Sequence, residues 1–372
     1  MRIGVPKEIK AHEYRVGLTP ESVAELTKCG HDVVVETGAG NGITAMDDAY
    51  RHSGASITDS AEAVFASSDL IVKVKEPQPS ECAMLRDHHI LFTYLHLAAD
   101  PEQAAGLTRS GATCIAYETV TDNKNGLPLL RPMSQVAGRL SVQAGASALE
   151  NAKGGRGVLL GGVPGVRPGR VVVIGGGVVG YHAALMAIGL QAQVTILDRN
   201  PEVLNQLSQI FEGRAEVIQS NTANLEAAIS EADLVIGAVL VPGAAAPKLI
   251  SREQLSLMQP GTVLIDVAID QGGCFETSKP TTHDNPTYVV DGIVHYCVAN
   301  MPGVVARTST YALNNVTLPY VLALAEKGWK KALSDDAALA KGLNVHAGRV
   351  YCLPVAEALN LESASIDTLL NS

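Results

Sequence analysis

The stretch Arg170-Val-Val-Val-Ile-Gly-Gly-Gly-Val-Val-Gly180, followed by Val194-Thr-Ile-Leu-Asp198, decides how this chain of 372 residues folds. It reads as a strand, a glycine-rich turn, a helix and a second strand ending in an acid. Val171 to Ile174 are β-branched, as a buried parallel strand requires. Gly175-x-Gly177-x-x-Gly180 alone is a weak signal in a chain with 35 glycines. Its place between strand and helix gives it force. Gly175 allows the tight turn, Gly177 lets the backbone approach a pyrophosphate, and Gly180 lets helix and strand pack closely. A helix is predicted from Val178 to about Gly189, its N-terminus facing the phosphates with its dipole and free N–H groups. The expected contacts are therefore Gly175, Gly177, Val178, Val179 and Gly180. Asp198, about 20 residues on, stands where an acid accepts hydrogen bonds from the adenosine ribose. A carboxylate there repels a 2′-phosphate, so NAD is favoured over NADP, although Arg199 blurs the preference.

The length suits two domains, at ~100–200 residues each. The chain is 47% hydrophobic and 18% charged, which fills packed cores and argues against long disorder. Its net charge of −10 argues against nucleic acid and anionic membranes as partners. An anionic substrate is not excluded, because local arginines and lysines still make a positive cleft. Six scattered cysteines without a CxxC pair, and no secretory apolar region, read as reduced thiols of a cytoplasmic protein. Val171 to Leu197 carries no acid, lysine or arginine and imitates a membrane span. The glycine triplet and the switch from strand to helix patterning make it a buried βαβ unit instead.

Working outward, the first ~130 residues alternate strand and helix signals, as a parallel sheet covered on both faces requires. Strands are expected at Arg2–Val5, Asp32–Glu36, Asp69–Val74, Ile90–Leu95 and Thr113–Tyr117. Helices are expected at Pro20–Cys29, Asp47–His52, Ala61–Ala66, Pro79–Arg86 and Asp100–Arg109. Pro20 and Pro101 suit first helical turns, capped by Thr19 and Asp100. A small-residue helix follows from Met133 to about Asn151, and then a glycine-rich loop. The second α/β unit runs from Arg170 to about Asn300. The tail from Arg307 is read as a long helix, Ser309–Glu326, with further helical pieces. The fold class is α/β: two doubly wound parallel-sheet, Rossmann-like domains with a cleft between them. Residues 1–130, completed by 307–372, form the catalytic domain, and residues 131–306 the nucleotide domain.

Charged residues stand at strand ends. Lys75 follows Leu70-Ile-Val-Lys-Val74, and His96 follows Leu91-Phe-Thr-Tyr-Leu95. Both emerge at the carboxyl edge of a parallel sheet, where ligands bind in open α/β folds. Arg15, in the loop after the first strand, reaches the same edge. Asp270 lies just beyond Val263-Leu-Ile-Asp-Val267 in the second lobe. Singly, each has a bland reading: a solvated lysine, a packed histidine, a surface ion pair of Arg15 with Glu8 or Glu13, a turn-capping aspartate. Their joint placement favours function.

Several motifs carry a resemblance: Gly4-Val-Pro-Lys-Glu8, Glu13-Tyr-Arg-Val-Gly-Leu-Thr-Pro20, Val74-Lys-Glu-Pro77, Thr93-Tyr-Leu-His-Leu97, Arg131-Pro-Met-Ser-Gln135, the glycine turn, Asp266-Val-Ala-Ile-Asp-Gln-Gly-Gly273 and Asn300-Met-Pro-Gly303. On these, over essentially its whole length, the chain resembles the alanine dehydrogenase/pyridine nucleotide transhydrogenase family. The resemblance implies reversible conversion of L-alanine, NAD⁺ and water to pyruvate, ammonium and NADH, in a cytoplasmic homo-hexamer. It implies that Arg15 and Lys75 bind the substrate carboxylate and carbonyl, that His96 is a general acid/base, and that Asp270 is a second catalytic group near the nicotinamide. It implies that Ser134, Asp198, Ser220, Val239, Leu240, Val267, Ala268, Ile269, Asp270, Val298, Ala299, Asn300 and Met301 contact NAD. Lys279 keeps a charge where members often carry arginine, whereas Val203 replaces a basic residue, so a phosphate or ribose contact there is open. Ala323 and Lys327 stand where some members carry a metal-binding Glu/His pair, and no metal is expected. Three alternatives remain: a transhydrogenase subunit, a saccharopine-dehydrogenase-like enzyme and a non-catalytic NAD(H) sensor.

Overall fold

The computed structural model describes residues 1–124, 126–239 and 246–371. In its first part β1 spans Arg2–Val5, β2 Asp32–Glu36, β3 Ser56–Thr58, β4 Leu70–Val72, β5 Ile90–Thr93 and β6 Thr113–Ala116. There follow β7 at Arg170–Ile174, β8 at Gln193–Asp198, β9 at Glu216–Gln219, β10 at Leu234–Gly237 and β11 at Val263–Asp266. The last four are β12 at Thr287–Val290, β13 at Ile293–Tyr296, β14 at Leu343–His346 and β15 at Arg349–Val350.

The described chain divides into two compact units, Met1–Met133 with Gly303–Ser372, and Ser134–Pro302. The first unit holds a sheet in the order β15-β14-β6-β5-β4-β1-β2-β3. It is parallel from β6 to β3, and β14 joins β6 antiparallel. The second holds β12-β13-β11-β10-β7-β8-β9, parallel except for β12. From the β3 and β9 edges inward, the parallel strands of both sheets run third, second, first, fourth, fifth, sixth, with β12 added antiparallel outside β13 in the second: the doubly wound order, with a switch point beside β1 and β7. The strands β4, β5, β10 and β11 are buried along their length and apolar but for Thr93 and Asp266 at their ends, because helices cover both faces.

Helix starts follow local chemistry. Thr19 accepts from Ser22 N at 3.2 Å and Asp100 from Gln103 N at 3.0 Å, each before a proline that fits the first turn. The long tail helix extends to Ala306–Asp335, broken at Gly328, whose φ of 73° is left-handed. The tail is not only helical. β14 and β15 are too short and mixed in character to be recognised locally, and they become strands by pairing with β6 and each other. The edge strands β3 and β12 escape sequence reading for the same reason. Among the described residues, no helix is long and apolar enough to cross a membrane.

Candidate active site

In the first unit Arg15, Lys75 and His96 lie on the loops that leave β1, β4 and β5, three parallel strands, and so at one sheet edge. Arg15 departs from the surface ion pair that a loop arginine suggests, being only 2% exposed. Glu13 takes one fork of its guanidinium: Nε donates to Oε1 at 2.7 Å and Nη2 to Oε2 at 2.5 Å. Nη1 lies 3.0 Å from Met133 Sδ. Glu13 thereby occupies the Nε/Nη2 edge of the guanidinium. Burial works against the Arg15 charge, but Glu13 outweighs it and raises the pKa, so the group stays cationic.

Lys75 is buried and its carbonyl accepts from Thr93 Oγ1 at 2.9 Å. Its Nζ stands 3.7 Å from Glu76 Oε2, a long and loose pair. Glu76 also meets Lys10. Burial alone would raise the Glu76 carboxyl, but Lys75 and Lys10 hold it below its ordinary value.

His96 is exposed and has a φ of 52°, a left-handed backbone costing roughly 1–3 kcal/mol in a residue with a Cβ. Glu118 compensates: its carboxylate accepts from Leu95 N at 3.2 Å and His96 N at 2.6 Å. The same Oε1 lies 4.0 Å from His96 Nδ1. The imidazole stacks on Tyr94, with centroids 5.8 Å apart and planes 4° apart. Tyr94 is buried and donates to Leu129 O at 2.6 Å. Burial drives its hydroxyl pKa far up, and the nearby Arg15 charge opposes this only in part. Tyr94 is thus a neutral wall touching His96 and within electrostatic reach of Arg15. The sequence does not mark Glu13, Tyr94 or Glu118 as site residues, because a carboxylate paired inside a fold looks locally like any surface acid and a tyrosine in an apolar strand like any core residue.

In the second unit the glycine turn has the expected form. Gly175 has a φ of 102°, and a Cβ on Gly180 would lie 1.8 Å from Gly175 O, so the helix Val178–Gly189 crosses the turn backbone to backbone. Among the described residues, a Cβ on Gly177 would meet nothing within 4 Å, and no side chain caps the helix there. An open approach to uncapped N–H groups fits a phosphate. Asp198 Oδ2 accepts from Gly176 N at 2.6 Å and Oδ1 from Asn200 N at 2.8 Å, so this acid also braces the turn. Val203, in place of a basic residue, lies against the turn: a Cβ on Gly176 would meet its Cγ1 at 2.8 Å.

The other expected contacts follow the carboxyl ends of this sheet. Ser220 N donates to Asp198 O at 2.8 Å beyond β9. Val239 is half-buried beyond β10, and Leu240 lies outside the described residues. Beyond β11, Val267 is half-buried, Ala268 and Ile269 are buried and Asp270 is exposed. Beyond β13, Val298 and Met301 are buried while Ala299 and Asn300 are half-buried. Ser134 is half-buried near the start of the helix Arg131–Ala148. Lys279 is exposed, its N donating to Tyr288 Oη at 2.6 Å. Sequence reading missed the role of Asp266, which is fully buried. It accepts from Ala268 N at 3.0 Å, from Cys274 N at 2.8 Å and from Ser278 Oγ, and so shapes the loop that ends in Asp270. A lone acid closing an otherwise apolar strand was its available signal.

Comparison with known proteins agrees along the chain. The family model "Alanine dehydrogenase/PNT, N-terminal domain" matches residues 4–137, and "Alanine dehydrogenase/PNT, C-terminal domain" matches 141–352. An alanine dehydrogenase of Halomonas elongata is 60% identical over 370 residues, covering 100% of both chains. A solved L-alanine dehydrogenase superposes with a TM-score of 0.94 at 55% identity, covering 97% of this chain and 99% of that one. A transhydrogenase from Sinorhizobium meliloti superposes at 0.79 with 27% identity, covering 94% of this chain and 98% of that one.

Proposed function

The chain belongs to the alanine dehydrogenase/PNT family, and from that premise we propose that it catalyses the reversible oxidative deamination of L-alanine with NAD. L-alanine, NAD⁺ and water give pyruvate, ammonium, NADH and a proton. The observation that carries the reading is the trio Arg15, Lys75 and His96 on one sheet edge, around the neutral wall of Tyr94. A transhydrogenase, which passes hydride between nucleotides, has no use for such a trio.

Arg15 binds the substrate carboxylate through its Nη1/Nη2 edge, the other fork being held by Glu13. Lys75 faces the carbonyl oxygen and stabilises the negative charge that develops there. Its loose pairing with Glu76 leaves the ammonium easy to recruit. His96 moves the proton at the carbinolamine oxygen, an imidazole being suited to this near neutral pH. Asp270, carried by the nucleotide unit, orients water or holds ammonium. NAD, when bound, supplies the hydride acceptor. The turn at Gly177 would hold its pyrophosphate and Asp198 its ribose. The protein works as a cytoplasmic homo-oligomer, a hexamer by resemblance.

The test is NADH oxidation with pyruvate and ammonium together, against pyruvate alone, other oxo acids and an NADP analogue. Turnover that requires both pyruvate and ammonium is expected. Hydride transfer between nucleotides without either would overturn the reading in favour of a transhydrogenase.

A further inference from the structure

Beneath Arg15 and Lys75 lies a chain of buried charges that the chemistry above does not use. Lys73 is fully buried, with Nζ 3.1 Å from Glu8 Oε2 and 2.6 Å from Glu81 Oε1. Burial opposes the Lys73 charge, but Glu8 and Glu81 outweigh it and raise the lysine. One ammonium shared by two carboxylates leaves a negative charge over. Burial, aided by Glu13 and Glu81 and opposed by Lys73, accordingly raises Glu8.

The two glutamates differ in what else they hold. Glu81 Oε2 accepts from Gln78 N at 2.8 Å, closing the start of its own helix. Glu8 lies on the same loop as Arg15, and its Oε1 accepts from Val74 N at 2.7 Å and Lys75 N at 3.4 Å. The turn is pinned on its other sides by Tyr117 Oη on Lys73 O at 2.9 Å and Thr93 Oγ1 on Lys75 O at 2.9 Å. The two loops meet without intervening side chains: a Cβ on Gly17 would lie 2.3 Å from Val72 O.

We propose that Glu8 is a positioning residue for substrate-carboxylate recognition, fixing the Lys73–Lys75 turn to the Arg15 loop so that Lys75 and Arg15 keep one spacing. The proposal rests on the reading of Arg15 and Lys75 as substrate ligands. What matters is the reach of the Glu8 carboxylate to Val74 and Lys75, more than its charge.

Three variants of the full chain separate reach from charge. Glu8→Asp keeps the charge and withdraws the acceptor by one methylene; it is expected to raise the KM for pyruvate about tenfold, with kcat and the KM for NADH within about threefold. Glu8→Gln keeps the reach and loses the charge, and it is expected to stay within about threefold of wild type in pyruvate KM. Glu81→Gln loses the same charge beside Lys73 and is expected to leave that KM unchanged while lowering Tm. A purely electrostatic or structural role reverses the order, with both Gln variants the worse. The proposal is overturned by a wild-type pyruvate KM in Glu8→Asp, or by a tenfold rise in Glu8→Gln. The second outcome decides even if Glu8→Asp does not fold. Absence of pyruvate-dependent turnover in the wild type would count against the function itself, and so is distinct.

Discussion

The turn after β1 and the turn after β7 occupy the same place in two sheets of the same strand order, yet they are built in opposite ways. Residues 175–177 connect β7 directly to a helix, and they work through bare backbone: an open flank at Gly177, a backbone crossing at Gly180. Residues 6–19 separate β1 from its helix and work through side chains: Glu8, Glu13 and Arg15, all buried. A short glycine turn exposes a helix N-terminus and so favours a diffuse anion such as a pyrophosphate. A long turn with buried charges presents a single oriented cation, which suits one small carboxylate. Topology supplies the sheet edge, and the composition of the turn sets the chemistry it offers there.

The sharpest way to break this contrast is to remove chemistry from one side alone. His96→Ala is expected to lower kcat by about 10²-fold or more, with the Kd for NADH, measured by nucleotide fluorescence, within twofold. Loss of NADH binding in that variant would show that the two edges do not divide the labour as argued.

The glycine turn can be divided in turn. Gly180→Ala forces a Cβ onto Gly175 O, and it is expected to cost about 3 kcal/mol and lower Tm markedly by calorimetry. Gly177→Ala meets no atom of the described residues, so Tm should hold while NAD affinity falls about tenfold. Equal Tm for the two variants would remove the distinction between packing glycine and ligand glycine. Asp198→Ala is expected to weaken NAD about tenfold and to relax discrimination against NADP, read as the ratio of the two Kd values. Unchanged NAD affinity would take Asp198 out of the site and leave it as a brace for Gly176 and Asn200.

The smallest effect concerns pH. Burial depresses His89 in the first unit and His295 in the second below the ordinary 6.5. A histidine depressed in the folded state binds fewer protons there than when unfolded, so stability is lost as pH falls below about 6.5 toward the folded values. Tm should therefore drop between pH 7 and 5.5, and His295→Gln should flatten that slope for the second unit only. An unchanged slope would show that His295 does not contribute.

Much of this was legible in sequence. The βαβ unit, the proline-started helices and the strands nearest the switch points are encoded within windows of about twenty residues, where β-branched runs and glycine spacing carry the signal. The placement of Arg15, Lys75, His96 and Asp270 at strand ends follows from the same pattern. The helix Arg131–Ala148 begins two residues earlier than expected and the strands β4 and β5 stop short, since backbone pairing rather than propensity sets their ends.

The sequence by itself determined the two α/β layers, the order of their elements and the glycine turn, because those depend on local periodicity and backbone freedom. Only the tertiary structure decided which charges go inside. Lys73 and Lys75 are alike in sequence, but one is consumed by Glu8 and Glu81 while the other, among the described residues, has a loose ion pair with Glu76. Likewise Glu13, five residues from Glu8, closes on Arg15. Burying an ion requires partners that meet it in space, and those partners come from distant strands and loops, so no local pattern announces them.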